Sequence, residues 1–225
     1  MPSRLLRQGT RLNSIVSDPT EIRNLGLFPL GLVVLPGERV PLHIFEPRYR
    51  ALVADCALES RSLVISLAAD EGVARIGCEV HVDALIRRFA DGRMNIVVVG
   101  AGRVELIEQT EGELYVTARA RTVPDDAADT DPELAAAAID GFRKLTATVA
   151  GAASDPDVRG GVPVSYAVAA GMDLDAVTKQ RLLENRSETE RLRMVVALLH
   201  DARTGLDRQE IAAERAQSNG KVTLR

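Results

Sequence analysis

The chain of 225 residues has no tryptophan, and aromatic residues make up only 3% of it. A surface that stacks single-stranded bases needs more rings than this. There are two cysteines, Cys56 and Cys78, and three histidines. Two cysteines form neither a disulfide framework nor a zinc knuckle, and the scattered histidines do not make a metal cluster. Lysine is nearly absent: Lys144, Lys179 and Lys221 stand against 25 arginines, a bias read as genome composition rather than chemistry. None of the three lies in a recognisable Ser–Lys context. There is no Gly-x-Ser-x-Gly elbow and no Gly-x-x-x-x-Gly-Lys-Ser/Thr phosphate loop. No apolar run approaches a membrane span, and no apolar stretch suits a secretion signal. The chain therefore reads as cytoplasmic. Its net charge of −4 disfavours a dedicated nucleic-acid binder.

What is present is enough apolar sequence, 46%, for a proper core. Residues 1–25 open with Arg4, Arg7 and Arg11 and read as a flexible extension rather than a transit peptide. From 26 to 122 the period is two. Cys78, Val80, Val82, Ala84 and Ile86 alternate with Glu79, His81, Asp83 and Arg87. Asp91-Gly92 signals a hairpin, and Gly100-Ala101-Gly102 is expected to make the next turn. Val104 and Leu106 then point inward, with Arg103 and Glu105 outward. Short strands and tight turns predict an antiparallel sheet closed, or nearly closed, into a barrel. One helix interrupts it, with Tyr49, Leu52, Val53 and Cys56 at helical spacing.

Residues 123–132 are acidic and proline-flanked and read as a linker. A helical bundle over 133–205 follows. Asp131 and Pro132 start its first helix, whose stripe is Leu134, Ala138, Phe142, Leu145 and Val149. Gly171 is expected to stop a short helix in the left-handed conformation. Ser187 and Glu190 cap a last helix that buries Leu192, Val195, Val196 and Leu199. Residues 206–225 read as a polar tail. The fold class is thus α+β.

Three features invite a chemical reading. The run NIVVVGAGRVE, 95–105, resembles a dinucleotide fingerprint, but Glu105 stands where a third glycine belongs and a strand follows where a helix must. His43 and Glu46 resemble a ligand or general-base pair. On a strand they face opposite sides, and Pro47 forbids the helix that would join them. Pro47 instead starts a helix, with Glu46 near its N-terminus. Arginines 87, 88, 93, 103, 119 and 121 fall on neighbouring strands and read as solvated outer-face residues, with an RNA-binding patch as the rival. Both cysteines fall on inward faces and read as buried thiols rather than nucleophiles.

The run LFPLGLVVLPGERVPLHIFEPRYR, 27–50, resembles the opening of the N-terminal, substrate-binding domain of the Lon protease. VARIGCEV and DGRMNIVVVGAGRVEL resemble the Gly…Asp-Gly-Arg…Gly-x-x-Arg succession of that domain. SYAVAAGMDLDAVTKQRLLENRSETERLRMVVALLHDA, 165–202, resembles its helical subdomain. The resemblance implies a PUA-like barrel with an inserted helix and an appended helical bundle. It implies recognition of unfolded or extended polypeptide, with no catalytic residues, cofactor or metal, and no ATPase or peptidase domain. A separate Lon-type protease and self-association are the further partners it suggests; a membrane is not. The expected contact is a groove between barrel and bundle, near the strand–helix corner of Glu46, Arg48 and Arg50, unless those residues only brace the corner. An RNA-binding protein and a hydrolase are the rival readings.

Overall fold

The structure is a computed structural model, and it describes residues 21–219 apart from 60, 70, 71, 113, 128 and 129. Residues 1–20 of the expected extension lie outside it, but its last part does not: β1 spans Ile22–Leu30. There follow β2 (Arg39–Ile44), α1 (Pro47–Glu59), β3 (Leu63–Ala69), β4 (Gly72–Val73), β5 (Ile76–Arg88), β6 (Met94–Glu111) and β7 (Val116–Thr122). The helical half holds α2 (Pro132–Ala150), a 3-10 turn (Arg159–Gly161), α3 (Val164–Ala170), α4 (Ala176–Glu184) and α5 (Glu188–Asn219). The stretch expected as a polar tail is therefore helical as far as Asn219; residues 220–225 lie outside the described residues.

The strand pairings run β1–β7–β6–β5–β3, and β3 pairs back with β1. That last pairing is parallel, unlike the antiparallel sheet expected, with Gly26 opposite Leu63 and Leu30 opposite Leu67. The connection through β2 and α1 explains it, because a long helical crossover brings the chain back in its original direction. Leu25, Leu27, Val64, Val104, Leu106, Ala118 and Ala120 pack together inside this circuit. Glu79 lies on the same face as Val64, its cross-strand partner. There it takes a bidentate bond from Arg23, at 2.8 and 2.7 Å, and one from Ser62 Oγ. Two largely buried charges thus face each other rather than apolar wall, which satisfies the Glu79 carboxylate, although Arg23 Nε stays without a partner among the described residues.

The opposite face of the sheet packs against helices, and one apolar core runs through both halves of the chain. Helix α1 buries Tyr49, Leu52, Val53 and Cys56, the stripe its spacing predicts. Leu52 is fully buried and contributes about 1.5–3 kcal/mol by that burial. Its Cδ1 occupies the space over Gly26, where a Cβ would meet it at 2.1 Å. Asp131 caps α2 by accepting from the amides of Glu133 and Leu134, with Pro132 at the first helical position. Gly171 corrects an expectation. Its φ is −89°, so it is not a left-handed stop. It is glycine because a Cβ there would stand 2.6 Å from the Phe142 ring.

Two glycine-containing features of the sheet have different roles. Asp91-Gly92 turns the chain between β5 and β6, with Gly92 at φ 85°. Gly100-Ala101-Gly102 does not turn it; β6 runs straight through as one strand of 18 residues. The register slips there, with Glu79 opposite Gly102 and Val80 opposite Gly100, so Ala101 is a bulge. A Cβ on Gly100 would lie 2.1 Å from the Leu35 carbonyl oxygen. The glycine permits backbone contact with the loop before β2, not contact with a phosphate.

Candidate functional groove

The far part of the β-half is a three-stranded ribbon, with β6 between β2 and β5. Antiparallel partners share a face. Met94, Ile96 and Val98 of β6 point to the buried side. Their partners on β5 are Arg88, Leu85 and Val82. The alternation read along β5 would have sent Val82, Ala84 and Ile86 inward. Two bulges, at Asp83 and Ile86, each shift the phase by one residue. Ala84 therefore turns away, Ile86 stays 64% exposed and Leu85 turns toward α1, while the second bulge restores the phase and leaves Arg88 on the same face as Val82.

This places a groove of about 540 Å³ between α1 and the β5–β6 hairpin. One wall is Ala51, Ala54, Ala57 and Leu58 of α1; the other is Val82 and Leu85. Leu58 and Leu85 are 83% and 57% exposed. Small alanines leave the room, and the two leucines offer apolar surface that has no intramolecular cover. The groove closes toward the hairpin with Pro47, Arg50, Arg88, Gly92 and Met94.

The three residues nominated at the strand–helix corner divide here. Glu46 and Arg48 satisfy each other through Nε and Nη2, at 2.9 and 2.8 Å, and Arg48 lies over the Tyr49 ring. That pair braces the corner. Arg50 donates to the Asp91 carbonyl at 2.7 Å and lines the groove. His43 does not meet Glu46. Its Nδ1 is 2.6 Å from Asn95 Oδ1, and it sits among the Phe45 and Phe89 rings on the other face of the ribbon. Among the described residues no three His, Cys, Asp or Glu side chains are placed to hold a metal ion.

The expected groove between sheet and helical half is not where the open space lies, because that junction is filled. Arg103, expected to face outward, is 4% exposed and points into it. It donates to the Leu183 and Asn185 carbonyls at 2.9 and 2.7 Å, to Val123, and to Asp125 at 2.5 Å. Arg191, fully buried, takes both oxygens of the same Asp125 and also Glu188, and stacks over Tyr166. Burial raises the Tyr166 hydroxyl to about 12, against the pull of the two guanidiniums. The acidic segment read as a linker is in this way a tie. Asp126 adds an ion pair with Arg186. A second tie, Lys179 to Glu38, joins α4 to the loop before β2.

Both cysteines are buried. Burial pushes the Cys56 thiol up to about 11 and that of Cys78 higher still, opposite to what a nucleophile needs. No described helix is long and apolar enough to cross a membrane.

The comparisons with known proteins agree with this architecture. A family model described as the ATP-dependent protease La (LON) substrate-binding domain matches residues 24–201. A solved Lon N-terminal domain protein from Xanthomonas campestris is similar at 25% identity and a TM-score of 0.61, over 78% of this chain and 98% of that one. The N-terminal domain of the Mycobacterium avium complex Lon protease is similar in fold, at 23% identity and a TM-score of 0.61, over 80% of this chain and 99% of that one. The chain belongs to the LON substrate-binding domain family.

Proposed function

We propose that this protein is a non-catalytic module that binds unfolded or extended polypeptide, built on a PUA-like barrel with a helical bundle, and that it holds its ligand in the groove between α1 and the β5–β6 hairpin. The observation that carries the reading is the pair of exposed leucines on opposite walls of the groove, Leu58 beside the alanines of α1 and Leu85 on β5. Exposed apolar surface gathered in a groove marks an interaction site far better than scattered leucines do. A cytoplasmic role beside a separate Lon-type protease fits the family. Of the three corner residues, Arg50 is the proposed ligand contact.

Calorimetric titration with unfolded casein tests this. The parent chain binds at micromolar concentration, and Leu58→Asp with Leu85→Asp abolishes binding without changing the fold. Binding that survives both substitutions would place the ligand elsewhere.

A further inference from the structure

The groove has a chemical direction. At its open end, by Leu58 and Val82, the lining is apolar; at its hairpin end stand two guanidiniums, Arg50 and Arg88. The carboxylates nearest to them in the chain are already taken by arginines outside the groove. Asp91 accepts from the amide and Nε of Arg93. Glu46 is held by Arg48. Among the described residues neither Arg50 nor Arg88 has a carboxylate within ion-pair distance, and Arg50 meets only the neutral Asp91 carbonyl. The N-terminus of α1, beginning at Pro47, adds its partial positive charge to the same end. Nothing in the groove lining is acidic. This positive end belongs to a chain whose net charge is −4, so it runs against the overall balance.

We infer that the groove selects polypeptide segments in which apolar residues stand next to an aspartate or glutamate, the apolar side chains lying between Leu58 and Leu85 and the carboxylate meeting Arg50 and Arg88. This rests on the polypeptide-binding reading above and adds a sequence preference to it. Arg88 faces the groove because it keeps the strand phase of Val82 and pairs with the inward Met94, the second bulge of β5 restoring the phase that the first one shifts. The same bulges disrupt the outer edge of β5, which makes added strand pairing a poor alternative there.

Fluorescence anisotropy with labelled peptides tests it. One peptide carries a run of apolar residues followed by Glu-Asp, with an amidated C-terminus; the second replaces these with Gln-Asn. The acidic peptide is expected to bind about tenfold tighter, the yield of two partly exposed charge pairs. That ratio falls to about one in Arg88→Gln, and in Arg50→Gln with Arg88→Gln, each checked for an unchanged melting curve. Among the described residues the Arg88 side chain makes no hydrogen bond, so Arg88→Gln separates recognition from folding. Equal affinity for the two peptides overturns the inference, as does a preference that survives both variants. A preference that appears only with a free C-terminal carboxylate overturns the side-chain assignment. Displacement of the acidic peptide by a single-stranded oligonucleotide shows a phosphate site instead. If neither peptide binds while unfolded casein does, the groove preference is wrong and the general reading stands. If casein fails as well, that reading falls first.

Discussion

Arg103 of β6 and Arg191 of α5 share one carboxylate, Asp125, and between them fix the sheet to the helical half. Both guanidiniums are nearly or fully buried. Each is satisfied by main-chain carbonyls as well as by the ion pair, and both donate to the Asn185 carbonyl. Buried charges of this kind are kept only with full partnering.

Arg103→Ala should therefore lower stability by about 2–4 kcal/mol, since it takes the Arg103 donors from the Leu183 and Val123 carbonyls and opens a cavity, while Arg191 still holds Asp125. Urea unfolding followed by circular dichroism measures it. A loss under 1 kcal/mol would show the junction to be held by its apolar contacts alone.

Glu79 gives a pH dependence. Burial pushes its carboxyl up, but the bonds from Arg23 and Ser62 outweigh that and hold it below the usual carboxylate range. A depressed folded value stabilises the protein above the unfolded value of about 4.3, and the contribution is lost as pH falls through the lower folded value. Glu79→Gln should be less stable than the parent by about 2–3 kcal/mol at pH 7. The gap should narrow steadily below about pH 4. Melting curves from pH 3 to 7 check this, and a gap that is constant across the range would contradict it.

Gly100 and Gly102 should behave differently although they belong to one motif. Gly100→Ala forces the strand off the Leu35 carbonyl and should cost about 1–3 kcal/mol. Gly102→Ala meets nothing within 4 Å and should cost well under that. A phosphate-binding loop would need both glycines for its ligand; a bulge packed against a neighbouring loop needs one for stability.

The thiols should be silent in the native state. Cys78 has no exposure and Cys56 only 6%. Iodoacetamide at pH 8 should label neither until urea unfolds the chain, and then both. Labelling of Cys56 in the native protein would mean that α1 opens locally, which bears on how rigid the groove wall is.

Much of this architecture is readable from local pattern. The α1 stripe, the Asp131 cap and the Asp91-Gly92 turn each depend on residues within one turn of helix or hairpin, and each stands where its pattern puts it. The family itself is legible in residues 27–50, whose prolines and charged corner are unusual as a sequence. What is not legible depends on distant partners. Arg103 looks like an outward residue on an alternating strand, and the carbonyls that bury it lie 80 and 82 positions away. The β5 bulges are invisible because Val82, Ala84 and Ile86 continue a regular alternation that the register breaks. Leu85 is therefore hidden as a groove residue, whereas Arg88 keeps the phase of Val82 and reads as an outer-face residue only because it is charged. Of the corner residues, the pattern could nominate Glu46, Arg48 and Arg50 together but could not separate a brace from a groove lining. The only early signal would have been the run Leu85-Ile86, two large apolar residues side by side where strict alternation allows one.

The most direct measurement is site-specific photocrosslinking. A photoreactive side chain at Ala54, exposed on the α1 wall of the groove, is compared with one at Val149, exposed on α2. In the presence of unfolded casein, polypeptide binding in the groove predicts a strong crosslink from position 54 and background from 149. Equal crosslinking at the two positions, or none at 54 while casein remains bound, would contradict it.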